Sequence, residues 1–311
     1  NGATINGTVN LTGPSSALGL FGGGTIDDTE VRFDAAGGNS PASLRTTPGS
    51  LLTLGADLFV HGGGGQVGND YPTAPCDLLN YGHVAADVTG KTIEVLGDTL
   101  TNHGLMEALN GATLVIGMWD DGPRPWTNAS DGVLNAATGS TLRLDGDWTN
   151  DGLIQLQSGS TVELAGVFAP ADIGQVQQSG GTIRIGGDVD NAGSTLVIDL
   201  AQGPWELAGA NITGGTLQVI GGDHTVTVSG SWVTGTETTL DGVTLNGDVH
   251  VQSPPSMQTY LRLKPSATIN GDITVDDGSA MRVEAPRVLD NMTVHLVGGW
   301  PSNAALEAWG T

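Results

Sequence analysis

The sequence predicts an all-β protein that forms a parallel β-helix, a solenoid with coils of about 20–22 residues. Three observations support this prediction: a short motif returns at near-constant spacing, apolar and polar residues alternate inside each repeat, and glycine is abundant. Gly139–Leu144 reads GSTLRL and Gly159–Leu164 reads GSTVEL, 20 residues further on. The 50 glycines among 311 residues argue against a helical protein, because glycine weakens helices and favours turns.

The tripeptide Gly-x-Thr begins most repeats and is usually followed by two aliphatic residues separated by one position. Several of the gaps between these tripeptides are 20 or 21 residues. The tripeptide starts at Gly2, Gly23, Gly90, Gly111, Gly139, Gly159, Gly180, Gly193 and Gly214.

A second tripeptide, Asn-x-Gly, falls between these repeats and marks a recurring turn. We expect its asparagine to adopt the left-handed conformation and to hydrogen-bond to the asparagine of the neighbouring coil. The asparagines are Asn80, Asn102, Asn150 and Asn191, and Asn128 belongs to the same series with two extra residues before Gly132.

The segments between the turns have the character of short strands. TLRL, TVEL, TIRI and TVTV alternate apolar and polar residues and are rich in β-branched residues, which is typical of strands with one buried face. A propeller blade needs about 40–50 residues, whereas one coil of a parallel β-helix needs roughly 20–25. The spacing therefore favours a β-helix, and the chain has room for roughly 13–15 coils.

The repeats divide the chain into zones of different regularity. We interpret residues 1–311 as a single β-helix segment of a longer chain, with its most regular repeats in 78–220 and more divergent coils in 221–311. Residues 30–77 fit the repeat poorly and are expected to form irregular coils or loops. The run GGGGQVGND, which begins at Gly62, is predicted to be a flexible loop.

Composition excludes several classes of function. Thirty-three Asp and Glu oppose 10 Lys and Arg, and the net charge of −23 argues against nucleic acid or an anionic membrane as partner. No apolar run is long enough to span a bilayer, so membrane insertion of this segment is not expected. The single cysteine, Cys76, excludes an intrachain disulfide and is expected to be a small buried residue.

Residues 78–117 read LLNYGHVAADVTGKTIEVLGDTLTNHGLMEALNGATLVIG. This stretch resembles the Asn-x-Gly-x-Ile repeats of filamentous-haemagglutinin-type exoproteins and of autotransporter passenger domains. The resemblance implies a right-handed parallel β-helix, an extracellular or cell-surface location, and adhesion or scaffolding. It brings no catalytic residues to this sequence.

Enzymatic alternatives depend on paired carboxylates. Asp27-Asp28, Asp120-Asp121 and Asp276-Asp277 are the acidic pairs considered, but sequence neighbours on a strand point to opposite faces and those in turns are usually solvated. We therefore predict no catalytic residue and no enzymatic activity. The alternative is a polysaccharide-active β-helix enzyme, a lyase or hydrolase similar to tailspikes, with residues 118–126 and 56–78 forming the walls of a groove.

Calcium is the one metal that the acidic turns suggest, and no cofactor is required. Asp147–Gly152, DWTNDG, resembles the start of an EF-hand loop, so Asp147 and Asp151 are weak calcium candidates. The twelfth position of such a loop should be Glu and is Ser158 here. The pattern therefore argues against true EF-hand geometry.

Two tryptophans are candidates for carbohydrate stacking. Trp126 and Trp148 are 22 residues apart, next to the same turn, and Phe168 follows 20 residues later. A stacked aromatic column stabilises neighbouring coils, and this structural interpretation is preferred. The alternative is a non-catalytic carbohydrate-binding surface formed by Trp126 and Trp148.

Together these patterns predict an extracellular or cell-surface structural or adhesive β-solenoid that could serve as a building block of a rod or filament. Its expected partners are further coils of the same protein, by self-association or stacking, and a surface glycan. Because open coil ends present unpaired strand edges, they favour such stacking.

Overall fold

The computed structural model describes residues 5, 7–34, 41–68, 76–118, 122–231, 233–254, 256–284, 289–290, 292–299 and 303–309. The chain is an almost entirely β parallel solenoid of about 12 turns, which confirms the predicted fold class. One short 3-10 helix, Pro170–Ile173, interrupts the strands. Within the described ranges no helix is both long and apolar enough to cross a membrane.

The strands are short, and most contain three to five residues. In chain order the first thirteen are β1 (Gly7–Leu11), β2 (Ala17–Leu20), β3 (Gly24–Ile26), β4 (Thr29–Phe33), β5 (Ala42–Thr46), β6 (Leu51–Leu54), β7 (Phe59–Gly62), β8 (Gly65–Val67), β9 (Asp77–Asn80), β10 (His83–Ala86), β11 (Thr92–Val95), β12 (Leu100–Asn102) and β13 (Leu105–Ala108). The next thirteen are β14 (Thr113–Ile116), β15 (Pro125–Asn128), β16 (Val133–Ala136), β17 (Thr141–Leu144), β18 (Asp147–Asn150), β19 (Leu153–Gln157), β20 (Thr161–Leu164), β21 (Val167–Phe168), β22 (Gln175–Ser179), β23 (Thr182–Ile185), β24 (Asp188–Asp190), β25 (Thr195–Asp199) and β26 (Trp205–Leu207). The last twelve are β27 (Asn211–Thr213), β28 (Thr216–Ile220), β29 (Thr225–Val228), β30 (Glu237–Asp241), β31 (Thr244–Asn246), β32 (Asp248–Val251), β33 (Thr259–Leu263), β34 (Thr268–Asn270), β35 (Ile273–Asp276), β36 (Ser279–Glu284), β37 (Val294–Val297) and β38 (Ala305–Trp309).

The chain divides into two compact units. Unit 1 comprises residues 1–162 and 172–181, and unit 2 comprises 163–171 and 182–311. In unit 1 every third strand pairs in parallel, which gives stack A (β1-β4-β7-β10-β13-β16-β19-β22), stack B (β2-β5-β8-β11-β14-β17) and stack C (β3-β6-β9-β12-β15-β18). Unit 2 has the same plan, with stack D (β23-β26-β29-β32-β35-β37), stack E (β21-β24-β27-β30-β33-β36-β38) and stack F (β25-β28-β31-β34).

The strand register aligns apolar residues of successive coils in columns through the interior. In stack A, Val84 pairs with Val60 on one side and with Met106 on the other, and all three are completely buried. Because parallel strands lie about 4.8 Å apart, each of these side chains packs directly on its counterpart in the next coil. Burial of such a side chain contributes about 1.5–3 kcal/mol, and this packing is the main source of stability.

The glycine of the Gly-x-Thr motif forms the turn that precedes the last three strands of stack B, β11, β14 and β17. Gly111 and Gly139 have φ angles of 76° and 75°, a left-handed conformation that other L-residues rarely adopt. The threonine that follows begins the strand, as Thr113 and Thr141 do. The motif therefore marks a conformational requirement of the turn.

The asparagines of the second motif form a buried ladder in unit 1. The Nδ2 atom of Asn80 donates to Oδ1 of Asn102 at 2.7 Å, and Asn102 donates in the same way to Asn128 at 2.8 Å. Asn128 donates to Asn150 at 2.6 Å, and Asn150 ends the ladder by donating to the carbonyl oxygen of Ile173 at 2.8 Å. The predicted hydrogen bonds between coils are confirmed.

The predicted left-handed conformation of these asparagines is wrong. Asn80 and Asn102 are the last residues of extended strands β9 and β12. The glycine of Asn-x-Gly is required by close packing, since a Cβ atom on Gly104 would lie 2.1 Å from the carbonyl oxygen of Gly82. The motif thus permits two coils to approach, while the asparagine joins them.

The stretch 30–77, expected to be irregular, contains regular strands in its described part. Strands β4 to β8 pair with their neighbours in the same parallel register as the rest of unit 1. The predicted flexible loop from Gly62 is wrong as far as Gly68, because Gly65–Val67 forms the buried strand β8. Here small residues replace the usual aliphatic ones: a Cβ atom on Gly65 would lie 2.4 Å from the ring of Phe33.

Replacement of Asn102 by alanine is expected to destabilise unit 1 by about 1–3 kcal/mol. The change leaves the buried Nδ2 of Asn80 without its acceptor and the Oδ1 of Asn128 without its donor. Urea unfolding monitored by circular dichroism measures the loss. Thr101→Ala, at the neighbouring, outward-facing position of β12, is the matched control, and equal unfolding midpoints for the two variants would contradict the role of the ladder.

Candidate functional site

The most distinctive chemical group on the outer surface of unit 1 is a cluster of aromatic rings on three successive coils. We call it the aromatic–histidine patch, and it consists of Phe59, His61, Tyr81, His83 and His103. Phe59, His61 and His83 occupy outward-facing positions of β7 and β10, since they alternate with the buried residues Val60 and Val84. Tyr81 and His103 are the middle residues of two Asn-x-Gly turns.

The rings of the patch pack on one another. Phe59 stacks on His61 with ring centroids 4.3 Å apart and is tilted against His83 at 4.6 Å. Tyr81 stacks on His103 at 4.9 Å and remains 45% exposed. The patch therefore consists of two groups of packed rings, of which the second presents the exposed ring of Tyr81.

His61 bridges three coils through two carboxylates. Its Nε2 lies 2.8 Å from Oε1 of Glu30, and its Nδ1 lies 2.9 Å from Oδ2 of Asp87. The hydrogen bond from His61 holds the pKa of Glu30 below its usual value, with a smaller contribution from Thr8.

His83 makes a similar bridge to the following coil. Its Nε2 lies 2.7 Å from Oε1 of Glu107, whose second oxygen accepts from Nδ2 of Asn135 at 2.9 Å. The Glu107 carboxylate is only 12% exposed. The His83 hydrogen bond lowers the pKa of Glu107, while burial opposes this shift and the Asn135 amide supports it.

The same pairing recurs at other histidines. His103 Nδ1 lies 2.7 Å from Oδ1 of Asp131 in the next coil, and this hydrogen bond lowers the pKa of Asp131. In unit 2, His250 Nε2 lies 2.8 Å from Oδ2 of Asp276. The imidazoles thus connect coils by joining carboxylates that are 24 to 31 residues away in sequence.

The arrangement favours binding over chemistry. The imidazoles of His61, His83 and His103 are each engaged by carboxylates, and the nearby outward column of stack A continues with the half-buried Leu105 and Val133. Such a surface offers stacking area, apolar contact and fixed carboxylate acceptors to a ligand. The described part of the chain contains no group of three or more His, Cys, Asp or Glu side chains that could hold a metal ion.

The tryptophans proposed for carbohydrate stacking lie in the interior. Trp126 and Trp148 are only 4% and 1% exposed, and their ring centroids are 6.3 Å apart on adjacent coils. The indole Nε1 of Trp126 donates to the carbonyl oxygen of Asp145. A sugar-binding role for this pair is wrong because neither ring faces solvent, whereas their proposed packing between coils is present.

The calcium candidates do not converge. Asp147 begins β18 and Asp151 follows its last residue, and both are exposed. At about 3.3 Å per residue the strand alone extends roughly 10 Å, so the two carboxylates lie beyond its opposite ends. They are too far apart to ligate one ion together.

Three of the aspartates weighed as catalytic groups, Asp27, Asp276 and Asp277, hold other parts of the chain by hydrogen bonds. Asp27 Oδ1 accepts from the amides of Asp28 and Asp57, at 3.0 and 2.9 Å. Asp276 bonds His250, and Asp277 accepts from the amide of Gly299 at 2.7 Å. Asp120 and Asp121 lie outside the described residues.

Cys76 is a buried free thiol, as predicted. Burial raises its pKa to about 11, and the nearby carboxylates of Asp77 and Asp98 act in the same direction. The thiolate required of a nucleophile is therefore scarce at neutral pH.

Sequence reasoning missed the aromatic–histidine patch. The motifs leave His103 at the variable position of an Asn-x-Gly turn, and they do not connect Phe59 and His61 with His83 of the next coil. A usable signal exists, because three of the six histidines lie within residues 61–103. Alignment of the repeats by register, rather than by motif, brings them to one surface.

No family model matches the chain, and no curated protein gives a significant match. The fold and the geometry of the surface therefore supply the basis for a functional proposal.

Replacement of Glu107 by glutamine is expected to reduce the free energy of unfolding by about 1–2 kcal/mol near pH 6. A carboxylate whose folded-state pKa is lowered stabilises the fold above its unfolded-state pKa, about 4.3, and this contribution is lost as the pH falls through the folded-state value. The difference between wild type and Glu107→Gln should therefore shrink as the pH falls below the unfolded-state pKa of the carboxyl group.

Urea unfolding at several pH values measures this difference. Glu94→Gln is the control, since the Glu94 carboxylate accepts from the Gln66 amide at 2.7 Å rather than from an imidazole. If Glu107→Gln lowers the free energy of unfolding by the same amount at every pH, the His83 bridge contributes no charge-dependent stability.

Proposed function

We propose that this protein is an extracellular or cell-surface structural and adhesive β-solenoid, without enzymatic activity. The observation that carries the proposal is the strand register, which repeats one three-strand coil plan through each unit and lines up outward side chains in columns. Such a chain presents long, regular surfaces, which suit adhesion and assembly. The net charge of −23 supports solubility and disfavours anionic partners.

Adhesion is assigned in this proposal to the aromatic–histidine patch, with a neutral surface glycan as ligand. Tyr81 supplies an exposed aromatic ring stacked on His103, and Asp131, which is bonded to His103 and 66% exposed, supplies a fixed acceptor. Neutral sugars are bound through apolar ring contact together with hydrogen bonds from hydroxyl groups to such acceptors. An anionic polysaccharide would be repelled by the same carboxylate.

The location is tested by antibody labelling of intact cells of the source organism. An antiserum raised against the 311-residue chain is expected to label cells that have not been permeabilised, and brief external protease treatment should remove the signal. An antiserum against a cytosolic protein is the control for membrane integrity. Labelling that requires permeabilisation would contradict a surface location.

Adhesion is tested by glycan-array binding of the fluorescently labelled chain. We expect binding to neutral glycans that Tyr81→Ala weakens at least about tenfold, a change of about 1.4 kcal/mol. Phe21→Ala is the matched control because Phe21 is 87% exposed and lies away from the patch, on the turn after β2. Equal losses in both variants, or retention of binding by Tyr81→Ala, would remove the patch from the adhesive role.

A further inference from the structure

The outer face of stack A continues past the aromatic–histidine patch as a column of apolar side chains. His83, which packs against Phe59 in the patch, pairs with Leu105 in the next coil. Leu105 pairs with Val133, and Val133 pairs with Leu153. These three aliphatic residues alternate with buried ones along their strands and are themselves half-buried, so they face outward. We call the column from Phe59 to Leu153 the axial stripe, and it crosses five coils of unit 1.

A second outward column, made of amides, runs beside the axial stripe. We call it the amide column, and in it Asn135 pairs with Gln155, which pairs with Gln177. The Nδ2 atom of Asn135 donates to Oε2 of Glu107 at 2.9 Å, and Nε2 of Gln155 donates to Oε1 of Gln177 at 3.0 Å. A carboxamide has two N–H groups and two carbonyl lone pairs, so side chains held in this way retain hydrogen-bonding capacity for a ligand.

This surface carries little charge in a strongly acidic protein. Strands β13, β16, β19 and β22 contain one charged residue, Glu107, which is bonded to both His83 and Asn135. The chain as a whole has a net charge of −23. An anion is repelled by the chain and a cation meets few carboxylates here, so the surface favours a neutral partner that has both apolar and hydroxyl groups.

The dimensions of the surface distinguish a second protein from a smaller ligand. Because the coils are about 4.8 Å apart, the axial stripe is roughly 19 Å long, and the amide column lies about 6.6 Å to one side of it. The two columns together cover roughly 200–300 Å². A stable protein–protein interface covers about 800 Å² on each partner, so this surface is too small for a second copy of the chain. A linear oligosaccharide needs only such a narrow strip.

A β-1,4-linked chain of pyranose rings matches the two columns. Such a chain is an extended ribbon whose ring faces carry C–H groups and whose edges carry hydroxyl groups. The ring faces can pack on the axial stripe while the edge hydroxyls form hydrogen bonds with the amide column. Each ring advances the chain by a distance close to the coil spacing, so the same contact can recur from coil to coil.

We propose that the axial stripe and the amide column bind a linear, neutral, β-1,4-linked polysaccharide that lies along the solenoid axis of unit 1. The aromatic–histidine patch forms part of the same site, since Tyr81 is two residues before His83 and Asp131 is two residues before Val133. The inference rests on the proposed adhesion to a neutral glycan, and it names the class of that glycan and the direction in which it lies. The site recognises a repeating chain, and a terminal sugar alone does not fill it.

Isothermal titration calorimetry with cellobiose and cellopentaose, a short and a long member of one neutral β-1,4-linked series, tests the site. Cellopentaose is expected to bind at least about tenfold more tightly, equivalent to about 1.4 kcal/mol, because it covers more coils. Val133→Asn and Leu153→Asn should each reduce this gain at least about threefold, since each removes apolar contact. Val197→Asn is the matched control, because Val197 is 45% exposed and faces outward on stack F of unit 2. Circular dichroism verifies that every variant is folded.

The outcomes separate this site from the proposed function. Equal affinity for the two sugars, or no binding of either, would overturn the axial site, while loss of glycan-array binding in Tyr81→Ala would still support the adhesive patch. Sedimentation velocity tests the other occupant. A wild-type dimer that Val133→Asn dissociates and Val197→Asn does not would assign the axial stripe to a second copy of the chain and overturn the inference.

Discussion

Every feature of this chain depends on parallel pairing between equivalent strands of successive coils. Because paired strands are held about 4.8 Å apart, a residue in one coil has its counterpart directly above it, whatever that counterpart is. The Val60–Val84–Met106 column, the asparagine ladder and the histidine–carboxylate bridges are three results of this one constraint. The same spacing turns a repeat in sequence into a continuous surface in space.

The constraint also explains how an acidic protein stays folded with few bases. Carboxylates are used as acceptors for groups of the neighbouring coil: Asp248 accepts from the amide of Asp272, and Asp272 accepts from that of Thr293. Where bases occur, one base serves several acids, as Arg262 does by bonding Glu237 and Glu284. Negative charge is thereby distributed along hydrogen-bonded columns, which limits repulsion between unpaired carboxylates.

The fold could be predicted from the sequence because each coil needs the same residue types at the same turns. The left-handed turn at Gly139 and the buried amide of Asn102 each need one residue type, and that type recurs at the coil period. The coil period did not reveal the strands in residues 30–77. There Gly65 makes room for the ring of Phe33, so the strand lacks the aliphatic residue that marks other coils in the sequence. The patch could not be predicted from motifs because Phe59 and His83 occupy variable positions, whose contacts depend on the register.

The direction of the tryptophan side chains also could not be predicted from motifs alone. Trp126 and Trp148 are next to a polar turn, and the sequence alone leaves open which face of the strand each ring occupies. Their position immediately before outward-facing threonines settles it, since alternation along an extended strand places them inside. A shift of one residue in register would have exchanged core and surface.

The asparagine ladder gives unit 1 an internal polarity. Each amide donates in the direction of the later coil, from Asn80 to Asn102, Asn128 and Asn150, so the side-chain dipoles are aligned head to tail. Aligned amides polarise one another, and a chain of them resists reversal of any single member more than an isolated pair would. The last amide of the ladder, that of Asn150, needs an acceptor, which the carbonyl oxygen of Ile173 supplies. The four asparagine side chains thus form one row of aligned dipoles, and the last amide has a backbone carbonyl as its neighbour instead of another asparagine.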